Sequence, residues 1–140
     1  IRDRLKFRSD TFRLILILAL FSTFLLLSVY LVPNAWLWVL GKNYEASAAQ
    51  LPIAVGGGLF YYASSVLYTV ALSREATRGQ SWAIVVGVGL QVAFLSVYRV
   101  LSVSDALFLN MLPAIGSLMV QLVIIGTLMT KWPVEKKEVN

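Results

Sequence analysis

The chain has 140 residues, 59% of them hydrophobic and 14% charged, with a mean hydropathy of +0.78 and a formal net charge of +5. Such a composition excludes an ordinary soluble domain. With no cysteine and no histidine, the chain also lacks thiol chemistry and the usual zinc or haem ligands.

Four stretches are free of charge: Leu14–Gly41, Ala46–Ser73, Gly79–Tyr98 and Ala106–Thr130. Each can hold the ~20 apolar residues that a helix needs to cross ~30 Å of hydrocarbon. In lipid only helices and closed barrels satisfy their backbone, and these runs are continuous rather than alternating. The expected fold is therefore all-α and integral to a membrane, with four transmembrane helices near 11–32, 45–72, 80–100 and 106–130.

The first helix should run from Thr11 to Val32 and break at Pro33-Asn34, because proline cannot continue a helix across that point. Its stretch Leu14–Leu27 is almost uniformly Leu, Ile and Phe, which predicts the most lipid-exposed helix of the set. Ala35–Leu40 reads as a short interfacial helix ended by Gly41. The second helix starts near Glu45, carries Pro52 in its first turns, and is weakened at Gly56-Gly57-Gly58. That triple glycine fits either close helix–helix approach or a bending point. The short links Ser73–Ser81 and Ser102–Asp105 make the second and third helices, and then the third and fourth, antiparallel neighbours. Trp36 and Trp38 fall at one interfacial depth and Trp82 and Trp132 at the other, as an aromatic belt requires.

Charge placement sets the orientation. Arg2, Arg4, Lys6, Arg8, Arg13, Arg74, Arg78, Lys131, Lys136 and Lys137 share one face after four crossings, leaving Lys42 and Arg99 on the other. By the positive-inside rule both termini are cytoplasmic, in a cell inner membrane. This asymmetry also accounts for the basic residues without a nucleic-acid partner. The chain begins at Ile1 within a charged lead and reads as a piece of a longer polytopic protein, its polar tail Trp132–Asn140 as a C-terminus.

Three helices carry semi-polar residues at helical spacing. They are Gln50, Gly57, Tyr61, Ser64 and Tyr68; then Ala83, Gly87 and Gln91; then Asn110, Pro113, Ala114, Ser117 and Gln121. Amides in lipid are costly without partners, so these faces should point inward. They serve either interhelical hydrogen bonding or the wall of a polar cavity. The cavity candidates are Tyr61, Tyr68, Gln91, Arg99, Asn110 and Gln121. Arg99 ends the third helix and either snorkels to the headgroups beside Asp105 or attracts an anionic group.

Enzymatic chemistry is not expected. The carboxylates Asp3, Asp10, Glu45, Glu75, Asp105, Glu135 and Glu138 lie in loops or at helix ends, and no histidine stands ready to activate a serine. No catalytic residue, metal ligand or cofactor is assigned. Gly87-Val88-Gly89 sits inside an apolar span with no strand before it, so it is not a nucleotide fingerprint.

The run Trp38-Val39-Leu40-Gly41-Lys42-Asn43-Tyr44-Glu45-Ala46-Ser47-Ala48-Ala49-Gln50-Leu51-Pro52 resembles a repeat of the polysaccharide (O-antigen type) flippases of the multidrug/oligosaccharidyl-lipid/polysaccharide superfamily. There a helix ends in a leucine-glycine step followed by a tyrosine and small residues, then a leucine-proline step into the next helix. Leu67–Arg78 is similar to the family's short cytoplasmic link, and the basic lead before Leu14 to its entry into a helix. The resemblance spans residues 10–130. It implies the C-terminal fragment of a two-lobed transporter of twelve or fourteen helices, partnered by that transporter's remaining N-terminal helices. It also implies flipping of a lipid-linked oligosaccharide by alternating access, without cofactor. Gly41 and Tyr44 carry over as structure only. The chain departs from the family in the loop Leu101–Leu107, which holds Asp105 where many relatives have proline and glycine. A multidrug extruder of the same superfamily would want an acidic cavity residue, absent from these spans. A self-contained four-helix membrane scaffold is the remaining alternative.

Overall fold

A computed structural model of the chain describes residues 2–41, 48–77 and 79–131. Among them lie five helices: α1 (Arg2–Leu31), α2 (Pro33–Leu40), α3 (Leu51–Leu72), α4 (Ser81–Val97) and α5 (Val103–Lys131). Three segments are long and apolar enough to cross a membrane: Leu5–Leu31, Ala48–Leu72 and Val103–Thr130. The fourth expected span, α4, has 17 residues and falls short of that set. Lys42, Tyr44, Glu45, Arg78, Trp132, Glu135, Lys136, Lys137 and Glu138 lie outside the described residues.

Helix α1 begins well before Thr11. Phe7 and Thr11, one turn apart, are both buried, and the Arg74 guanidinium sits 4.6 Å from the centre of the Phe7 ring. The charged lead thus gains a packed face and a cation–π contact, so the helix continues through it. At the other end Pro33 occupies the first turn of α2, where its missing N–H costs nothing. Trp36 Nε1 donates to Ser28 Oγ at 3.2 Å, folding α2 back on α1. Gly41 closes α2 at φ 100°, a conformation that favours glycine. Of the three long spans α1 is the least covered, with 11% of its apolar window buried against 17% and 28% for the other two.

Helix α3 runs unbroken through its three glycines. A Cβ at Gly56 would meet Leu26 at 3.9 Å, one at Gly57 would meet Met111 at 3.6 Å, and one at Gly58 would meet nothing. These are ordinary contacts, so the triple glycine is neither a break nor a tight approach here. The helix ends in a Schellman turn. Ala76 N–H donates to Ala71 O at 3.0 Å and Glu75 N–H to Leu72 O at 2.9 Å, with Glu75 at φ 57° in the position glycine usually takes.

The order of helices differs from that expected. Helices α3 and α4 do not pack against each other; α5 lies between them and packs on both, while α1 lies along α3. The link from Leu72 to Ser81 explains how this is possible. Eight linking residues, nine Cα-to-Cα steps, reach up to ~30 Å, enough to straddle a helix ~10 Å across. Gly57 lies opposite Met111 and Ser64 opposite Ser117, so α3 and α5 run parallel. Gln80 meets Gln121 and Phe94 meets Phe108, so α4 and α5 are antiparallel neighbours as expected. The apolar core is Leu67, Ala71, Ile124 and Ile125, between α3 and α5 at the Arg74 end.

Two further boundaries moved. Helix α4 stops at Val97 rather than near 100, because Tyr98 turns extended and stacks on Phe94 at 5.2 Å. Helix α5 starts at Val103 rather than near 106. Ser102 Oγ accepts the Asp105 N–H at 3.1 Å, and Asp105 Oδ2 accepts the N–H groups of Ser102 and Leu101 at 3.0 and 3.1 Å. This is a reciprocal capping box with Asp in place of Glu. Asp105 therefore serves the helix start and forms no ion pair with Arg99 among the described residues.

Candidate functional site

Between α3 and α4, floored by α5, runs a groove of about 440 Å³. Tyr61, Ser64, Ser65 and Tyr68 reach it because spacings of three and four put them on one face of α3. Helix α5 contributes Ser117 and Gln121, four apart. The start of α4 contributes Gln80, Ser81, Ala83 and Ile84. A second hollow of about 250 Å³ shares Tyr61, Ala83, Ile84 and Ser117 and prolongs the groove to Gly87 and Pro113. No charged side chain lines either part. Among the described residues no cluster of His, Cys, Asp or Glu is placed to hold a metal ion.

Two polar pairs tie the floor to the walls. Ser64 Oγ and Ser117 Oγ lie 2.6 Å apart, joining α3 to α5. Gln121 Nε2 donates to Gln80 Oε1 at 2.6 Å, and Gln80 Nε2 donates in turn to Ala76 O at 3.3 Å. That relay fixes which way both amides point, since turning either one sets oxygen against oxygen. Gln121 is 2% exposed, and its own Oε1 is buried without a partner. An unmet buried acceptor costs about 1–3 kcal/mol.

Of the six residues expected to line a cavity, the structure brings three together: Tyr61, Tyr68 and Gln121. Gln91 has another use. Pro113 has no N–H, so the Leu109 carbonyl one turn earlier loses its helical donor. Gln91 Nε2 supplies the replacement from α4, at 3.3 Å. Asn110 lies on α5 toward the Asp105 end, exposed and outside the groove. Arg99 lies beyond the end of α4, exposed and also outside it. Sequence reasoning missed Gln80, which lies where the Ser73–Ser81 link meets the third helix. Its signal was an amide placed four residues after the small Ala76 and directly before the apolar run.

The tight helix approach sits beside the groove rather than at the triple glycine. A Cβ at Gly116 would stand 3.1 Å from Gly87 Cα and N, and one at Gly87 would stand 3.1 Å from Pro113 Cα. Here the α4 and α5 backbones touch, as small residues permit in lipid.

The helices define a class, an all-helical protein with three segments fit to span a bilayer and a neutral polar groove among them. Compared with family models, curated proteins and solved structures, the chain gives no significant match.

Proposed function

We propose that this chain is the membrane-embedded part of a transporter that flips lipid-linked oligosaccharide units across a cell inner membrane. On this reading α1, α3, α4 and α5 all cross the bilayer. At 17 residues α4 reaches the lower end of the ~17–25 that suffice, and both termini lie in the cytoplasm by the charge rule. The protein works by alternating access, rocking against the remaining helices of a two-lobed carrier. The observation that carries the proposal is the uncharged groove of Tyr61, Tyr68, Gln80 and Gln121 between spans that are otherwise apolar. Aromatic faces and amides suit sugar hydroxyls, since they stack and exchange hydrogen bonds without demanding charge. An organic cation would favour an acidic lining, and none is present there.

The test is a flipping assay with the full-length protein in proteoliposomes and a fluorescent polyprenyl-linked sugar. Tyr61→Ala with Tyr68→Ala should cut the flipping rate at least tenfold at equal protein in the membrane. Full activity in that double variant, or equal transport of a bare cationic dye, defeats the proposal.

A further inference from the structure

Helix α4 is fastened unevenly. Among the described helices its backbone packs on α5 alone and stands clear of α1 and α3. Toward the Asp105 end it holds α5 through Gln91 on Leu109 O and through Phe94 on Phe108, ring centres 6.3 Å apart. In the middle the backbones touch at Gly87 and Gly116. Toward the Arg74 end Gln121 Nε2 donates to Gln80 Oε1, just before the first turn of α4, and this same half of α4 forms a wall of the groove.

We infer that Gln80 and Gln121 form a latch, and that the Ser81–Ile84 half of α4 swings about the Gly87–Gly116 contact to open and close the groove. Backbone meets backbone here with the Pro113 and Leu90 side chains alongside, and Gly87 and Gly89 make this stretch of α4 the place where it can bend. Seven residues separate Gln80 from Gly87, a lever of about 10 Å. A bend of about 20° at Gly87 shifts the start of α4 by about 4 Å at that lever, while Gln91 and Phe94 hold the rest of the helix on α5. The buried Gln121 Oε1 gives the open state its compensation. While the latch is closed this oxygen has no partner; when α4 swings out it meets water or the hydroxyl of a bound group. The latch rests on the groove being a working part of the protein, but its test needs no transported substrate.

These 140 residues contain no cysteine, so once any cysteine elsewhere in the full-length protein is replaced by serine, paired spin labels can be placed without background. One pair, Ser65→Cys with Ser81→Cys, reports the groove end of α4. A second, Ala54→Cys with Val97→Cys, reports the opposite end. Distances are read by pulsed electron resonance on the full-length protein in lipid nanodiscs. Gln80→Met and Gln121→Met each cut the latch and should lengthen or broaden the first distance by about 4 Å, leaving the second unchanged. Gln80→Glu in acidic buffer, with its carboxyl protonated, keeps an acceptor for Gln121 Nε2 and a donor for Ala76 O and should hold the wild-type distance. The inference is overturned by an unchanged first distance in both methionine variants, by equal movement of both pairs, or by Gln80→Glu behaving as Gln80→Met does. Failure of both methionine variants to fold also overturns it, because the pair is then a fixed fastening. A moving α4 with no sugar flipping would refute the proposed function and leave the latch standing.

Discussion

Replacing Gln91 with leucine tests whether its amide repairs the helix that Pro113 interrupts. The Leu109 carbonyl has lost its own-helix donor and sits in a span where water is scarce, so Gln91→Leu leaves it bare. An orphaned carbonyl costs about 1–3 kcal/mol, whereas polar contacts in membrane proteins average ~0.6 and reach ~1.7 kcal/mol. The observed 3.3 Å is at the long end for N–H···O, which places the loss near 1 kcal/mol. The decisive comparison uses Pro113→Ala, which restores an N–H for Leu109. In that background Gln91→Leu should cost less than about 0.3 kcal/mol, so the two changes should couple by about 0.7 kcal/mol. Reversible unfolding in mixed micelles, followed by tryptophan fluorescence and helical circular dichroism, gives the four stabilities of the cycle. If the leucine costs the same with alanine at position 113 as with proline, the amide is not repairing the helix.

Gly116→Ala forces a Cβ to within 3.1 Å of the Gly87 backbone and should destabilise by about 1–3 kcal/mol, whereas Gly57→Ala meets only Met111 at 3.6 Å. The latter should be neutral or gain up to about 1 kcal/mol from helix propensity; the same unfolding assay ranks the two, and the opposite order refutes the packing described. Glu75→Gly relieves a left-handed residue in the Schellman turn and should raise stability by about 1 kcal/mol, read as a higher midpoint of unfolding. Arg99→Ala should leave both the flipping rate and the membrane level of the protein at wild-type values, since Arg99 lies outside the groove; a large loss of flipping would return it to the site.

Three of the four expected spans were legible because the hydrocarbon core demands long apolar runs, whereas α4 is too short to join them. Boundaries were less so. Asp105 looks like a loop charge in a composition scan, yet Ser102 three residues earlier makes it a helix start, a pattern available in the sequence itself. The stripe of Tyr61, Ser64, Tyr68, Ser117 and Gln121 was legible from its period alone. The use of Gln91 was not, because it depends on which carbonyl of α5 the helix α4 meets. Likewise a short link argues for neighbours, and only the side chains decide that α5 intervenes between α3 and α4. Glycines mislead in the same way. Three in a row at Gly56–Gly58 attract notice, whereas the contact that needs them joins two isolated ones, Gly87 and Gly116.

The place of α5 between two helices that precede it in the chain has a consequence for biogenesis. A ribosome makes α3 and α4 before α5 exists, so they must wait without sealing against one another. During that interval Ser64 and Gln80 lack their eventual partners Ser117 and Gln121. Of the described helices, α5 is thus the keystone. A chain truncated before Val103 should leave the earlier helices inserted but unassembled, a ready substrate for membrane quality control.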